Sequence, residues 1–345
     1  MLFDRRRLVA TGLGLGLFSG SVFAKPKPLA TNTTTPNDTG LIPDSTEDQS
    51  SALQQLIDEA ANRKAPLTLP SGRFLIRTLN LRPGTRLVGS AGTTILRQMG
   101  GGAMLLADAC DNLHLEGLTL DGALAPLDAN RALGLLTIRR ASGVTVRDLI
   151  VQHSLLHGIA LAAVAGKLNG CTVRTVAEAG IFSNDAGGLE IGQNTVSDAG
   201  NNGILVWRSK QGEDGTIVSG NRIERIRALA GGTGQNGNGI NVYRAGNVMV
   251  TGNRIADCAY TAIRGNAASN IQMVANNCQR LGEVALYAEF GFQGALIANN
   301  IVDIAATGIS VTNFNEGGRL AVVQGNLVRN LFRREQEPVD KRGDG

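Results

Sequence analysis

The 345-residue sequence has few aromatic residues, few cysteines and little charge. Aromatic side chains make up 4% of it, as nine Phe, three Tyr and one Trp, which excludes a core built from large rings. Charged residues make up 18% and hydrophobic residues 43%, so neither a disordered chain nor a nucleic-acid-binding arm fits the average composition. The length exceeds that of one average domain but fits a single large β domain.

The cysteines and the net charge give little evidence of a partner. Cys110, Cys171, Cys258 and Cys278 form no CxxC pair or other metal-ligand spacing, and a chain of this size needs no disulfide framework. We predict buried free thiols, and leave the pairing of Cys258 with Cys278 open. The net charge is +4, but Asp4 and the arginines at 5–7 carry part of it, so we expect no nucleic-acid partner.

Residues 1–24 have the pattern of a signal peptide. Arginines at 5–7 precede an apolar stretch from Leu8 to Phe18, and small residues lead to Ala24. This stretch is shorter than the roughly 20 residues that span a bilayer, so we predict no membrane span once it is removed. The run Arg5-Arg6-Arg7-Leu8-Val9 resembles a twin-arginine export signal, with an ordinary secretory signal as the alternative. The resemblance implies the twin-arginine export machinery as a partner and a bacterial periplasmic or secreted location.

A linker, a helix and short strands are predicted next. Residues 25–40 begin Lys-Pro-Lys-Pro and continue in Thr and Asn, which indicates an unstructured tether. Thr46 and Gln49 have capping-box spacing and Leu53 begins an apolar helical face, so we expect an amphipathic helix at about 47–62. Short apolar runs between Pro and Gly residues from 66 to 89 predict short strands.

A repeat of about 23 residues dominates the rest of the sequence. A small residue followed by Ile or Leu, here called the anchor, recurs at Gly158-Ile159, Gly180-Ile181, Gly203-Ile204, Gly239-Ile240, Ala262-Ile263, Ala285-Leu286 and Gly308-Ile309. A second column follows at Cys171, Asn194, Asn221, Asn253, Asn276, Asn299 and Asn326. Asn suits a fixed turn because it tolerates left-handed backbone angles and hydrogen-bonds to its own kind. We expect about nine or ten coils of three short strands each.

The helix, the run Leu69-Pro70-Ser71-Gly72-Arg73-Phe74 and the repeat resemble pectin-lyase-like right-handed parallel β-helices. The resemblance implies an all-β, single-stranded parallel β-helix over residues 41–345, with the helix covering the first coil so that no strand edge is open. With its leader, the chain also resembles twin-arginine-translocated repeat proteins of no assigned activity. Neither the aspartate cluster of calcium-dependent pectate lyases nor the Gly-His-Gly of polygalacturonases is present, so the fold supplies no function, and we predict no cofactor.

Two turns of the repeat are enlarged. The coil that starts at Gly203 reaches its Asn, Asn221, later than its neighbours do, and Gly239 again follows late. The last coil copies this enlargement, so the sequence ends where another coil would begin. We favour a truncated chain over a natural end with a charged tail.

The anchor strands predict an exposed face, because alternate residues of a strand point to opposite sides. Sugar rings stack on Trp and Tyr, and polar neighbours contact hydroxyls or carboxylates. We therefore predict a polysaccharide groove on this face, lined by Asn184, Trp207, Asn241, Tyr243 and Arg264. The alternative is that the enlarged turns at 209–216 and 227–238 fold over Trp207 and Tyr243.

Three charged residues at the ends of these strands are candidates for catalysis. Asp185, Arg208 and Arg244 lie on neighbouring coils, where a base and cations suit β-elimination on a uronic acid. A salt-bridged ladder of strand ends is the alternative interpretation. Hydrolysis is disfavoured, because Asp185 and Glu289 lie too many coils apart for a carboxylate pair. His153 and His157 lack a third ligand, so we predict no metal site.

The function predicted from these features is binding or processing of an extended polysaccharide that can be acidic, with lyase chemistry if the site is catalytic. The alternative is a non-enzymatic structural or adhesive repeat protein of the cell envelope. Glycan binding that depends on Trp207 distinguishes the two hypotheses.

Overall fold

The computed structural model describes residues 40–128, 133–232, 234–312 and 316–334. The predicted signal peptide, nearly all of the linker and residues 335–345 lie outside this part, so the expectations about export, the tether and the chain end stay predictions. No helix in the described ranges is long and apolar enough to cross a membrane.

The predicted helix is present as α1 (Ser50–Asn62), which buries Leu53, Ile57 and Ala60. The capping box does not form, because the Gln49 side chain bonds instead to the backbone of Ile42. Gln54 covers a strand edge: its Oε1 accepts from the Asn80 N–H at 2.7 Å and its Nε2 donates to the Asn80 carbonyl at 2.9 Å. The helix thus satisfies backbone groups that the first coil would leave open.

The strands form a solenoid of about 11 turns with about 23 residues per turn, which is one or two turns more than the repeat predicts. They lie in three columns, and all pairings between neighbours in a column are parallel. Four strands pass round a corner and belong to two columns each: β9 (Gly134–Arg147), β11 (His157–Asn169), β24 (Asn277–Glu289) and β26 (Ile301–Thr312).

Column 1 consists of β1 (Leu67–Thr68), β4 (Arg86–Val88), β7 (His114–Glu116), the second half of β9 (Gly134–Arg147), the second half of β11 (His157–Asn169), β14 (Glu190–Gly192), β17 (Ile217–Ser219), β20 (Met249–Thr251), β23 (Ile271–Val274), β25 (Gln293–Ala298) and β27 (Arg319–Gln324).

Column 2 consists of β2 (Gly72–Ile76), β5 (Thr94–Gln98), β8 (Thr119–Asp121), β10 (Ile150–Ser154), β12 (Thr172–Val176), β15 (Thr195–Ala199), β18 (Arg222–Ile226), β21 (Arg254–Cys258), the first half of β24 (Asn277–Glu289), the first half of β26 (Ile301–Thr312) and β28 (Leu327–Arg329).

The third column holds the anchors and is called the anchor column. It consists of β3 (Leu79–Asn80), β6 (Leu105–Asp108), the first halves of β9 and β11, β13 (Ala179–Asn184), β16 (Asn202–Glu213), β19 (Asn238–Gly246), β22 (Ile263–Asn266) and the second halves of β24 and β26.

The anchor pairs stack in register and fill the core. Ile181, Ile204 and Ile240 pair directly on successive coils and are fully buried. A small residue precedes each of them because the coils pack closely: a Cβ at Gly180 would lie 2.4 Å from a Val196 methyl. All four cysteines are buried free thiols, as predicted, and burial raises the pKa of Cys171 to about 12.

The Asn residues that recur in the sequence repeat form a hydrogen-bonded stack, here called the Asn ladder. Its members are Cys171, Asn194, Asn221, Asn253, Asn276, Asn300 and Asn326. From Cys171 to Asn300, the backbone N–H of each member donates to Oδ1 of the Asn on the next coil, and each Asn Nδ2 also donates to a carbonyl of the preceding coil. The predicted member Asn299 is wrong: that step runs 24 residues, from Asn276 to Asn300. Asn299 instead occupies the left-handed turn position with φ 58°.

Candidate functional site

The outward residues of the anchor column form what we call the anchor face. The strand register places these residues in two rows along the solenoid. One consists of Phe182, Leu205, Asn241, Arg264 and Tyr287, and the other of Asn184, Trp207, Tyr243, Asn266 and Glu289. Charged residues follow at the corner, where Asp185 and Arg244 have φ values of 54° and 59°. These two therefore lie in left-handed turns rather than on the flat strands.

Four rings cross the anchor face diagonally and form what we call the aromatic ladder. The centroid distances are 4.8 Å from His157 to Phe182, 5.6 Å from Phe182 to Trp207 and 5.8 Å from Trp207 to Tyr243. The last two contacts are edge-on, and all four rings are half-buried. The Arg244 guanidinium lies 4.7 Å from the Tyr243 centroid and ends the row with a cation–π contact. The ladder is continuous over four coils.

The two histidines serve separate contacts. Burial lowers the pKa of His157 to about 4, and its Nδ1 accepts the Ala179 N–H at 3.0 Å, so the ring is neutral near pH 7. His153 instead places Nδ1 2.9 Å from a carboxylate oxygen of Asp121. In the described ranges no group of three or more His, Cys, Asp or Glu residues could hold a metal ion.

The first enlarged turn runs beside the aromatic ladder. It extends β16, and Gln211 Nε2 reaches the carbonyls of Ala267 and Gly291 on later coils at 3.0 and 2.9 Å. A polar cleft of about 470 Å³ lies between this extension and the following corners, lined in part by Glu213 and Asn247. This turn therefore follows the edge of the anchor column instead of covering Trp207.

The second enlarged turn covers part of the face. The carbonyls of Gly234 and Gln235 lie 3.5 Å from Asn241 Nδ2, and a Cβ at Gly234 would lie 1.8 Å from Nη1 of Arg264. Asn241 is only 4% exposed and Arg264 only 8%. The covering turn predicted as the alternative thus exists, but over Asn241 and Arg264. These two lie beneath it rather than on an open surface, and their role in substrate binding stays a prediction.

Asp185 holds the base of the first enlarged turn. Its two oxygens accept the Ser209 N–H at 2.8 Å, the Ser209 hydroxyl at 2.6 Å and Nδ2 of Asn184 at 2.8 Å. Burial tends to raise the pKa of Asp185, but the Ser209 hydrogen bonds and the Arg208 charge outweigh it, and the pKa is lowered. A carboxylate stabilised in this way is a weaker base than an ordinary one.

The two predicted catalytic arginines also contact this turn. Arg208 donates to the Ala186 carbonyl at 3.2 Å and lies 3.7 Å from Asp214, whose pKa is raised by burial. Arg244 donates to the Ser209 carbonyl at 3.2 Å. Asp185, Arg208 and Arg244 therefore form no ladder of direct salt bridges, and instead meet around residues 208–209.

A buried polar cluster that the repeat does not predict lies at Arg264, Asn266 and Glu289. Arg264 Nε lies 2.7 Å from Glu289 Oε1, which also accepts from Asn266 Nδ2 at 2.9 Å. The Arg264 guanidinium lies 5.1 Å from the Tyr287 centroid, and burial raises the pKa of that tyrosine. The sequence contains a signal for this pair, because Arg264 and Glu289 are opposite charges at outward positions of adjacent coils. The cluster lies on the two coils that follow Tyr243, so it adjoins the end of the aromatic ladder.

Buried polar atoms without a hydrogen-bond partner concentrate on this side of the solenoid. Six of the nine such atoms in the described residues belong to Ser183, Trp207, Arg208, Asp214, Asn238 and Asn241. The Trp207 indole N–H and the Arg208 Nε are donors, and buried donors normally find an acceptor. The region around the middle of the aromatic ladder therefore has hydrogen-bonding capacity that the protein itself does not satisfy.

Two overlapping segments, 130–223 and 157–328, match the family model described as right handed beta helix region. Together they cover more than half of the 345 residues. The chain therefore belongs to the right-handed β-helix family.

Solved structures show the same fold at low sequence identity. The mannuronan C-5 epimerase AlgE4 A-module of Azotobacter vinelandii matches with a TM-score of 0.63 and 14% identity, covering 86% of this chain and 95% of that one. ORF18 of Geobacillus virus E2 matches with a TM-score of 0.59 and 12% identity, over 78% of this chain and 56% of that one. The pre-mature gene product 12 of bacteriophage phi29 matches with a TM-score of 0.56 and 16% identity, over 83% of this chain and 48% of that one. No curated protein sequence matches significantly.

Proposed function

We propose that this protein binds an extended polysaccharide along the anchor face, with the aromatic ladder as its main contact. The observation that carries the proposal is the continuity of the ladder over four coils on the outward side of the strands. Adjacent coils are about 4.8 Å apart, so the row extends about 14 Å, which suits a linear chain better than a single sugar. Half-exposed Trp and Tyr rings offer apolar surface to sugar rings.

Two further features support this proposal. Arg244, beside Tyr243 and exposed, supplies a positive charge for a carboxylate of an acidic glycan. One neighbour of the same fold is named as an epimerase of mannuronan, which is consistent with a polysaccharide ligand for this fold.

The binding test compares one substitution in the aromatic ladder with a matched control. Mature protein, Trp207→Ala and Phe332→Ala are tested by affinity electrophoresis on neutral and uronate-containing polysaccharides. Phe332 is an exposed aromatic residue outside the anchor face, so its loss removes a similar ring without touching the ladder. We expect retardation by at least one polysaccharide, lost in Trp207→Ala only. Equal retardation of all three proteins would refute the proposed site.

Elimination on an acidic glycan is a second candidate function. The observation that favours it is that Asp185 and Arg244 both contact Ser209. A base and a cation that could stabilise an enolate are therefore held beside the same residue. The lowered pKa of Asp185 and its three hydrogen bonds favour binding over chemistry. Incubation with uronate polymers, followed by the ultraviolet absorbance of the unsaturated product, tests it. Product formed by wild type and absent with Asp185→Asn supports the lyase, and no product from wild type rejects it.

The alternative of a non-enzymatic structural or adhesive protein differs in one outcome. Such a protein shows no glycan affinity that depends on Trp207, although it keeps the same fold and stability. The binding test above therefore separates the two functions without any assumption about chemistry.

We also propose that residues 1–24 direct export through the twin-arginine pathway to the periplasm or beyond. The run from Arg5 to Val9 carries this proposal. Replacing Arg5 and Arg6 with lysine in the full chain should leave the precursor in the bacterial cytoplasm, detected by cell fractionation. Normal export of that variant would instead favour the ordinary secretory route.

A further inference from the structure

Charged side chains that meet across neighbouring coils have opposite signs almost everywhere. Five register pairs among the described strands join an acid to a base: Asp108 with Arg139, Arg97 with Asp121, Glu116 with Arg147, Lys167 with Glu190, and Asp303 with Arg329. In column 2, by contrast, Arg222 pairs in register with Arg254. This is the only pair of like charge among Asp, Glu, Lys and Arg in the strand pairings that the structure describes.

The two arginines have no acidic side chain of their own. Both are exposed, and in the described part of the chain neither guanidinium makes a hydrogen bond or an ion pair. The acids on β15, β18 and β21 are already engaged with other arginines. Asp198 and Glu224 bind Arg225 at 2.7 and 2.5 Å, and Asp257 binds Arg280 through both oxygens at 2.6 Å.

Two like charges directly opposite on paired strands destabilise a sheet. Their Cα atoms lie on strands about 4.8 Å apart, so the two guanidinium forks can take up parallel positions at a similar spacing. Guanidinium forks match oxyanions such as phosphate in bidentate geometry. An anion with two negative charges would neutralise both arginines at once, which none of the engaged acids can do.

We propose that Arg222 and Arg254 form a binding site for a tetrahedral dianionic group, phosphate or sulfate, either free or carried on a polymer. Thr195 and Asn277 continue the same register column on either side and add a hydroxyl and an amide. The site lies on column 2, whereas the aromatic ladder lies on the anchor column. It is therefore independent of the proposed polysaccharide contact, and either can fail without the other.

The test measures thermal unfolding against sodium sulfate at constant ionic strength, with sodium chloride as the balancing salt. Because sulfate stabilises most proteins nonspecifically, the readout is the difference between wild type and Arg222→Gln/Arg254→Gln. We expect a saturable rise in this difference, since a ligand that binds only the folded state raises its stability. Without sulfate, we expect the double variant to be as stable as wild type or more so.

Two control variants separate binding from general charge effects. Arg280→Gln removes a paired arginine of the same column, so it should lower the unfolding temperature but keep the sulfate response. Arg254→Glu should pair with Arg222, raise the unfolding temperature without sulfate and abolish the response. An equal sulfate response in wild type and the double variant, or none in wild type, overturns the proposal.

Further titrations identify the source of the anion. Sodium phosphate and sodium acetate distinguish a tetrahedral dianion from a carboxylate, and only phosphate should reproduce the sulfate effect. Dextran sulfate compared with uncharged dextran tests a polymer-borne group. A midpoint at lower sulfate-group concentration with dextran sulfate than with sodium sulfate assigns the site to a polymer, and an equal midpoint assigns it to the free ion. A response to acetate equal to that of phosphate contradicts the dianion assignment.

Discussion

The Asn ladder and the anchor face are built on the same geometry but not from the same kind of sequence. Both consist of residues that occupy equivalent positions on successive coils. In the Asn ladder the residue is Asn on six successive coils, five of them 1% exposed. On the anchor face, the position that holds Asn184 is taken by Trp207, Tyr243, Asn266 and Glu289 on the next coils.

This difference distinguishes the side chains that the fold requires from those that it does not. In the Asn ladder, one buried side chain per coil bonds to a backbone N–H and a carbonyl of the preceding coil, and Asn meets that need on six successive coils. Outward positions carry no such demand, so their side chains can differ from coil to coil. Part of that variation is still structural, because Arg264 and Glu289 form a buried ion pair. The aromatic ladder is the part that the fold does not explain.

The largest expected effect on stability comes from the buried ion pair of Arg264 and Glu289 on the anchor face. Glu289→Ala leaves Arg264 buried without a counterion, and we expect a loss of about 4 kcal/mol in the free energy of unfolding. The double variant Arg264→Met/Glu289→Leu should recover most of it, because it replaces both charges with apolar groups. Urea denaturation measures both. A double variant as unstable as Glu289→Ala would contradict a purely structural role for the pair.

The next effect tests the Asn ladder itself. Asn253→Leu removes the acceptor for the Asn221 N–H and Asn221 Nδ2 and one donor to the Val218 carbonyl, so we expect a loss of about 3 kcal/mol. The matched control is Asn80→Leu, an exposed strand Asn, which should change stability by about 0.5 kcal/mol or less. Similar effects of the two substitutions in urea denaturation would show that the ladder does not stabilise the fold.

A pH effect tests the first ring of the aromatic ladder. The pKa of His157 is lowered to about 4 in the folded state, against about 6.5 in an unfolded chain. As the pH falls from about 6.5 to about 4, the unfolded state binds a proton that the folded state does not, and stability is lost by up to about 3 kcal/mol.

His157→Gln isolates this contribution, because Gln keeps an acceptor for the Ala179 N–H but does not titrate. Denaturation at several pH values should show that wild type loses stability relative to the variant over this range. Parallel curves for the two proteins would contradict burial of a neutral imidazole.

Much of the fold follows from the sequence, and much of the site does not. The period and the anchors can be predicted because each coil repeats the same packing between Gly180, Val196 and their equivalents. The first helix can be predicted from the spacing of its apolar residues. The spacing predicts Asn299 in place of Asn300, because one extra residue in that coil shifts the register and both positions hold Asn. The sequence could not say which enlarged turn covers the face, since that depends on where Gly234 meets Arg264. Side-chain pairs across coils, such as Arg264 with Glu289, depend on rotamers that spacing does not determine.

The central claim is that the aromatic ladder binds polysaccharide whereas the Asn ladder stabilises the fold. The aromatic substitutions that test it are expected to have the smallest effect on stability. Trp207→Ala/Tyr243→Ala is compared with wild type and Asn253→Leu in titrations against the polysaccharide that retards wild type most, at a temperature where all three are folded. The account predicts a loss of affinity of about 30-fold or more for the aromatic variant, in the range of a binding hot spot, and unchanged affinity for Asn253→Leu. Equal affinities of wild type and the aromatic variant would contradict it.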